Sequence, residues 1–217
     1  MNDVWGNNHG TVIGNPEIVE GKIGEALLFN GEDNLVEIAH SASLDITQAI
    51  TMEFWFLLDG SSADNVFPRP FSKGQSTGSN GGYGIWINDS NTTDIGFRSP
   101  TLTPTDIRSQ ALPDYNDGAW HHIAVTYDGE AGKLYLDGLN QLDIPVTGEI
   151  SSEEEPLHIG DGRNERHFGG AVDEARIYNR ALDADEIRMN FEAESNVLAA
   201  VDAKSKLSAL WGQLKTQ

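Results

Sequence analysis

Short runs of alternating apolar and polar residues, spaced about ten residues apart, constrain the fold of this 217-residue chain more than any other feature. In AITMEFWFLL at 49–58, for example, Phe54 points to one face and Glu53 to the other. Such alternation is expected of a strand with one buried face. We predict strands at 25–31, 34–39, 49–58, 83–88, 94–99, 120–128, 133–138, 156–160 and 170–179. Many short strands with few helices indicate an all-β sandwich or barrel.

The segments between these runs carry turn and loop signals. Asp-Gly pairs at 128–129 and 137–138 each separate two apolar runs, which is the strongest short-range signal for a β-hairpin. The long polar stretches at 60–82 and 99–118 are predicted to be surface loops, and loops of that length are often functional.

Helical patterns appear only near the C-terminal end of the chain. Asp183 is a candidate N-cap, and Glu186 follows three residues later, which is the spacing of a capping box. A second pattern at 197–215 has one apolar face. We therefore predict a β domain over residues 1–194 and a helical tail over 195–217 that docks on it or links it to a neighbouring domain.

The composition excludes one class of partner. With 34 Asp and Glu residues against 14 Lys and Arg, the net charge of −20 repels nucleic acid and anionic membrane surfaces.

No stretch approaches the roughly 20 apolar residues of a membrane span, so membrane insertion is not expected. The start MNDVWGNNHG lacks the features of a signal peptide, and we expect an excised or processed domain. The chain contains no cysteine, so it has no disulfide framework.

A family resemblance rests on five segments taken in order. They are GNNHGTVIGNPEIVEGKIGEALLFNGEDNLVEI, SLDITQAITMEFWF, DGAWHHIAVTYDGEAGKLYLDG, PLHIGDG and FGGAVDEARIYNRALDADEI. Over residues 3–191 the chain resembles the laminin-G-like jelly rolls of the concanavalin A-like lectin/glucanase superfamily. The resemblance implies a sandwich of two antiparallel sheets, each of six or seven strands, with the first and last strands side by side. It also implies a binding module of an extracellular or cell-surface bacterial protein.

The resemblance further implies one structural calcium ion. Related jelly rolls bind it between an Asp of the last strand and the turn after the Phe-Asn-Gly segment. The matching residues here are Asp173, Asn30 and Gly31, with Asp33 as a further candidate. Calcium accepts oxygen ligands in irregular geometry, and an ion at this place would tie the two ends of the sandwich together. The alternatives for Asp173 are a hydrogen bond or salt bridge within the fold and, less favoured, catalysis.

A carbohydrate site is predicted on the strands YGIWIN and DIGFRS. Alternation places Trp86 and Asn88 on one face of the first strand and Tyr83 on the opposite face. If the two strands pair, Trp86 and Arg98 meet on the concave sheet, where an aromatic ring can stack on a sugar and polar groups can bind its hydroxyls. Tyr83, Trp86, Asn88 and Arg98 are therefore the candidate ligand-binding residues. The alternative is that Trp86 packs between the sheets.

Catalysis is not expected of this chain. The glycan-cleaving members of the superfamily carry spaced acids on one strand, as in E-x-D-x-x-E, which positions two carboxyl groups across a sugar bond. The strand at 49–58 offers Glu53 alone, and Glu174 faces away from Asp173, so a pairing with an arginine suits it better. We expect a calcium-stabilised module that binds carbohydrate. A protein-binding adhesion module of the same fold is the alternative, and a glycan-cleaving enzyme ranks last.

Overall fold

The computed structural model describes residues 3, 6–58, 67–74, 81–88, 94–110, 112–161 and 166–193. Within these ranges the chain forms fourteen strands, one α-helix and a short 3₁₀ helix at Ala42–Leu44. The elements are β1 (Gly10–Ile13), β2 (Glu17–Glu20), β3 (Glu25–Asn30), β4 (Leu35–Ile38), β5 (Ile50–Leu58), β6 (Phe71–Gly74), β7 (Gly82–Ile87), β8 (Ile95–Arg98), β9 (Asp106–Ser109), β10 (His121–Tyr127), β11 (Ala131–Leu136), β12 (Leu139–Pro145), β13 (Leu157–Ile159), β14 (Gly169–Tyr178) and α1 (Ala184–Glu192).

The strands form two antiparallel sheets of seven strands each. The first sheet has the order β1-β4-β13-β6-β7-β8-β9, and the second has the order β12-β11-β10-β5-β14-β3-β2. This architecture confirms the predicted all-β, two-sheet jelly-roll sandwich.

Large apolar side chains fill the space between the two sheets. Phe54 of β5 and Phe71 of β6 meet edge to face across this space, with ring centroids 6.0 Å apart and an interplanar angle of 82°. Both side chains are fully buried, and burying a phenylalanine contributes roughly 1.5–3 kcal/mol. The apolar face predicted for the strand at 49–58 is thus the inner face of the second sheet.

The predicted hairpin turns form as expected. Asp137 and Gly138 alone join β11 to β12, with φ angles of 50° and 73°, and a type I′ turn requires positive φ at both positions. The loop between β10 and β11 is closed by the Asp128 carboxylate, which accepts hydrogen bonds from the backbone N–H groups of Glu130 (2.9 Å) and Ala131 (2.7 Å).

Helix α1 begins with the predicted capping box. The Asp183 carboxylate accepts from the Glu186 N–H (2.9 Å), and the Glu186 carboxylate accepts from the Asp183 N–H (3.0 Å). The helix covers the outer face of the second sheet, where Phe191 stacks on Trp55 with ring centroids 5.3 Å apart. Because α1 closes the centre of that face, the outer face of the first sheet is the one of interest for a ligand.

Other expectations differ from the structure. The segments 60–82 and 99–118, predicted to be loops, contain β6 and β9. Each of these strands has four residues and is defined by its pairing, β6 with β7 and the distant β13, and β9 with the preceding β8, which polar composition does not reveal. The last strand, β14, pairs with β3 and β5, whereas β1 belongs to the other sheet. The predicted second helix and the tail at 195–217 lie outside the described residues. Among the described residues, no helix has the length and apolar character needed to cross a bilayer.

Candidate functional site

A pocket of about 310 Å³ lies on the outer face of the first sheet, over β7, β8 and β9. Ile85, Phe97 and Ile107 point from these strands into the core, so the residues that alternate with them point outward. The described lining of this cavity, called the Trp86 pocket below, consists of Phe67, Arg69, Trp86, Arg98, Asp106, Arg108 and Arg166. The two strands predicted to bring Trp86 and Arg98 together are indeed neighbours.

A glycine determines how Trp86 lies in this pocket. In the strand register Trp86 faces Gly96, and Gly96 faces Arg108 on the next strand. A Cβ atom at position 96 would lie 2.5 Å from Cζ2 of the Trp86 ring, so the indole occupies the space that a side chain would take. The ring therefore reaches Arg108, whose guanidinium carbon lies 5.3 Å from the Trp86 ring centroid. The Trp86 ring also contacts Phe67 edge to face, with ring centroids 5.0 Å apart.

Trp86 forms a wall of the pocket and is not an open stacking platform. Only 5% of the residue is exposed, although it lies outside the inter-sheet core. Its indole Nε1–H donates to Oδ1 of Asp106 (3.3 Å), which fixes the ring in its plane. The second oxygen of Asp106 accepts from Nη1 of Arg98. One carboxylate therefore holds the tryptophan and an arginine in a fixed relative position.

Arg98 and Arg108, on the strands of the pocket, are reachable from solvent, and Arg166 is also half-buried. Arg98 pairs with Asp106 and has 27% of its side chain exposed, while Arg108 pairs with Asp94 and has 37% exposed. Because each guanidinium carries five N–H donors, one carboxylate partner leaves donor groups that a ligand can engage.

The other two arginines lie where the segment before β6 approaches the segment before β14. Arg69 is almost completely buried, and its backbone N–H donates to the Arg166 carbonyl oxygen (3.1 Å). Burial, together with the positive charges of Arg166 and Arg98, lowers the pKa of Arg69 to about 10. Four of the eight arginines in the sequence line this one cavity, in a chain whose net charge is −20.

The remaining two predicted ligand residues lie outside the Trp86 pocket. Tyr83 points into the core, where it is fully buried, stacks beside Phe97 and donates its hydroxyl to the Leu44 carbonyl oxygen (3.0 Å). Asn88 is nearly buried just after β7, where its backbone carbonyl accepts from the Tyr115 hydroxyl (2.6 Å). Neither residue therefore belongs to the Trp86 pocket. Tyr83 points inward because strand alternation places it on the face opposite to Trp86.

The structure does not bring the four predicted calcium ligands together. Asn30 faces Gly169 in the register of β3 and β14, whereas Asp173 lies four residues further along, opposite Trp55. At about 3.3 Å per residue this separates the two positions by roughly 13 Å. Within the described residues, no group of three or more His, Asp or Glu side chains has the arrangement of a metal site.

Asp173 instead uses its carboxylate inside the fold. Oδ2 accepts from the Ile23 N–H and Oδ1 from the Glu174 N–H, each at 2.8 Å. Gly21 permits this contact, because a Cβ there would lie 2.7 Å from Oδ2. Burial raises the pKa of Asp173 to about 7. Asp173 thus joins the β2–β3 turn to the last strand by direct hydrogen bonds. The family resemblance implied that a calcium ion would connect the two ends of the sandwich in this way.

The other three predicted ligands, Asn30, Gly31 and Asp33, form a closed turn after β3. Oδ1 of Asn30 accepts from the backbone N–H groups of Glu32 (3.0 Å), Asp33 (3.2 Å) and Asn34 (3.3 Å). Its amide also donates to Asp33 Oδ1 (2.9 Å). These contacts stabilise the turn through a side chain that mimics a backbone carbonyl.

Glu53 and Glu174 of the second sheet belong to a buried hydrogen-bond network beneath α1. Oε1 of Glu53 accepts from Arg176 Nη1 (3.1 Å), the Tyr178 hydroxyl (3.0 Å) and Asn190 Nδ2 (2.8 Å). Glu174 binds Arg176 Nη2 at 2.6 Å, which is the pairing with an arginine that the sequence favoured. All five residues are at least 97% buried, so these carboxylates stabilise the fold and do not contact solvent.

Sequence reasoning missed most of the pocket. Arg108 and Asp106 alternate outward on β9, a strand inside a segment that the polar composition predicts to be a loop. Arg69 lies between two prolines in the other predicted loop. The outward alternation of Asp106 and Arg108 in DIRS was the one local signal. No local pattern links Arg166 to the pocket, because only the fold brings it there.

Comparisons with known proteins agree with this architecture. The family model described as the concanavalin A-like lectin/glucanases superfamily matches residues 30–188. The mouse (Mus musculus) protein named Sushi, von Willebrand factor type A, EGF and pentraxin domain-containing protein 1 is 28% identical over 123 residues, which cover 48% of this chain. The chain spans only 3% of the length of that relative.

Solved structures show the same fold at low sequence identity. The binding domain of Paraclostridial Mosquitocidal Protein 1 matches with a TM-score of 0.68 and 18% identity, over 85% of this chain and 47% of that one. Domain 4 of AbnA, an extracellular arabinanase from Geobacillus stearothermophilus solved with arabinotriose, matches with a TM-score of 0.56 and 20% identity, over 86% and 84% of the two chains. A heptameric pentraxin from Limulus polyphemus matches with a TM-score of 0.53 and 12% identity, over 69% and 72%.

Proposed function

Because the chain belongs to the concanavalin A-like lectin/glucanase superfamily, we propose that it is a non-catalytic carbohydrate-binding module whose ligand occupies the Trp86 pocket. The observation that carries the proposal is the convergence of several polar side chains and one indole on a concave site formed by three adjacent strands. A concave site with a few fixed polar groups is the usual form of a ligand pocket. Its volume of about 310 Å³ lies at the small end of the usual range of about 300–1,000 Å³, which suits a short segment of a glycan.

The comparisons support a binding role. The arabinanase domain was solved in complex with arabinotriose, and the matching mosquitocidal protein structure is that of its binding domain. The absence of catalysis is supported by the same neighbours and by the position of Glu53 and Glu174, which are buried in a network that a substrate does not reach.

We also infer that the module acts outside the cell as one domain of a larger protein. The arabinanase is an extracellular enzyme and carries its jelly roll as domain 4, and the mouse relative is a protein of several named domain types. A structural calcium ion stays a prediction. It does not fit Asp173, Asn30, Gly31 and Asp33 as one site, because the fold separates Asp173 from the other three and the Asp173 carboxylate already accepts two backbone N–H groups.

A glycan array tests the proposal. The wild-type protein should bind a defined subset of glycans, and Arg98→Gln should abolish or strongly weaken that binding because Arg98 lines the pocket. Arg188→Gln is the matched control, since it removes one arginine from the exposed side of α1, beyond the opposite sheet. Failure of the folded wild-type protein to bind any glycan would contradict the proposal and favour the alternative protein-binding module.

A further inference from the structure

The chemistry of the Trp86 pocket restricts the kind of sugar that it can bind. Among the described residues, the polar side chains that line it supply four guanidinium groups, one carboxylate and one indole N–H. A guanidinium donates hydrogen bonds and cannot accept them, and the Asp106 carboxylate already accepts from Trp86 and Arg98. A ligand must therefore supply mainly acceptors.

A neutral sugar meets this requirement poorly. Each hydroxyl group donates one hydrogen bond as well as accepting, and sugar-binding sites usually provide carboxylates or amides to accept it. No asparagine or glutamine belongs to the described lining, and its one carboxylate already accepts from Trp86, Arg98 and the Thr105 hydroxyl. A carboxylate or sulfate group, in contrast, accepts only, and it matches the planar fork of an arginine with two parallel hydrogen bonds.

The positive charges in the pocket also favour an anion. Arg69 lies close enough to Arg98 and Arg166 for their charges to lower its pKa, in addition to the effect of burial. Like charges gathered in a partly enclosed site repel each other, and an anion that enters relieves this repulsion. Perturbed groups in a cleft are typical of functional sites.

The rest of the protein argues against a polyanion as the ligand. With a net charge of −20, the surface as a whole repels a chain of closely spaced negative groups. At physiological ionic strength this repulsion is screened beyond about 8 Å, so a single acidic group can still approach the local positive site.

We propose that the Trp86 pocket binds one acidic sugar residue, bearing a carboxylate or a sulfate group, within a glycan that is otherwise neutral. This inference rests on the proposed function and specifies its ligand class. Arg98 and Arg108, whose side chains are partly exposed, make the first contacts with the anionic group, and Arg69 forms the deep end of the site. The apolar side of the sugar ring packs against Phe67, which is half-buried at the wall formed with Trp86.

The test compares three small probes with the same ring. Methyl β-D-glucuronide, glucose-6-sulfate and the neutral methyl β-D-glucoside are each titrated into isotope-labelled protein, and the affinities come from the amide and indole chemical shifts. At least one acidic probe should bind about tenfold to a hundredfold more tightly than the neutral one, the range expected of one or two charge-assisted hydrogen-bond pairs. The two acidic arms distinguish carboxylate from sulfate.

Variants locate the binding. Arg98→Gln should weaken the acidic probe about tenfold or more and leave the neutral probe almost unchanged. Arg98→Lys keeps the charge and loses the planar fork, so it should bind with intermediate affinity. Arg188→Gln is the control for a general loss of charge and should bind like wild type, and equal melting temperatures establish that the variants fold.

Several outcomes would overturn the inference. One is equal binding of the neutral and acidic probes, and another is no binding of either acidic probe. A third is binding of polygalacturonate that is tight and survives Arg98→Gln, because it would reflect general electrostatics. The glycan array separates failure of this inference from failure of the proposed function. Binding of neutral glycans through Arg98 would contradict the acidic ligand class and leave the carbohydrate-binding function in place. Absence of binding to any glycan would contradict both the ligand class and the function.

Discussion

The position of the indole across Gly96 determines the shape of the Trp86 pocket, and an alanine at Gly96 tests it. The backbone at position 96 does not adopt the left-handed conformation that would exclude alanine, so the main obstacle is steric. The added Cβ would lie 2.5, 2.6 and 2.9 Å from three atoms of the Trp86 ring, closer than real Cβ contacts allow. The ring must therefore move, and its hydrogen bond to Asp106 must lengthen or break.

The expected cost follows from overpacking. Inserting a methyl group into a filled site costs about 1–3 kcal/mol, and at about 2–4 °C per kcal/mol for a chain of this size Gly96→Ala should lower the melting temperature by roughly 2–12 °C. In a Trp86→Ala background the obstacle is absent, and the same change should cost almost nothing. The double-mutant cycle should therefore give a coupling energy of about 1–3 kcal/mol.

Urea denaturation followed by circular dichroism measures the four free energies of unfolding. Gly84→Ala is the matched control, because the nearest obstacles to its Cβ would be the Ser72 side chain (2.7 Å) and the Phe71 carbonyl oxygen (2.9 Å) and not the Trp86 ring. Its cost should be the same in both backgrounds. An equal cost of Gly96→Ala with and without Trp86 would refute the placement of the indole.

Three further predictions concern the second sheet. Asp173→Ala should destabilise the protein by about 2–4 kcal/mol, because it leaves the buried N–H groups of Ile23 and Glu174 without an acceptor, and the loss should be equal in calcium and in chelator. Glu53→Ala should cost about 3–5 kcal/mol, because it removes one of the two carboxylates paired with the buried Arg176 and the acceptor of the Tyr178 hydroxyl and the Asn190 amide. Burial lowers the pKa of His122 to about 4 in the folded protein. Between pH 6.5 and pH 4 the unfolded chain therefore binds a proton at His122 that the folded protein does not. The free energy of unfolding decreases as the pH falls through that window. Relative to His122→Gln, the wild type should lose about 2 kcal/mol between pH 7 and pH 5.

Each of these predictions has a contrary result in the same denaturation experiments. A loss from Asp173→Ala that disappears in chelator would show that the carboxylate stabilises through calcium. A cost below about 1 kcal/mol for Glu53→Ala, the size typical of an exposed ion pair, would contradict its buried position. A constant difference between His122→Gln and the wild type from pH 7 to pH 5 would show that His122 can take up a proton in the folded state.

The sequence predicts the strands and turns of the fold well, because these elements depend on local sequence patterns. The alternation around Phe54, the Asp137-Gly138 turn and the Asp183 capping box each involve residues within one element or turn, and the structure has all three. The same alternation predicts that Trp86 and Arg98 share a face.

What the sequence does not predict depends on register and on distant pairing. The separation of Asp173 from Asn30 follows from the alignment of β14 with β3, and a shift of a few residues along that pair would have brought them together. Arg69 and Arg166 meet through one backbone hydrogen bond between segments that are far apart in the chain. No local pattern encodes either fact, so the separation of Asp173 from Asn30 and most of the pocket were beyond sequence reasoning.

The indole signal of Trp86 provides the most direct measurement of the central claim, that the outer face of the first sheet is where the protein binds a glycan. In a titration of isotope-labelled protein with methyl β-D-glucuronide and methyl β-D-glucoside, the Nε1–H resonance, assigned by its loss in Trp86→Phe, should shift and saturate with the more tightly bound sugar. The indole signal of Trp55, which lies beneath α1 on the other sheet, should stay in place. Binding of a sugar that leaves the Trp86 resonance unmoved, or that moves only the other tryptophans, would contradict the account.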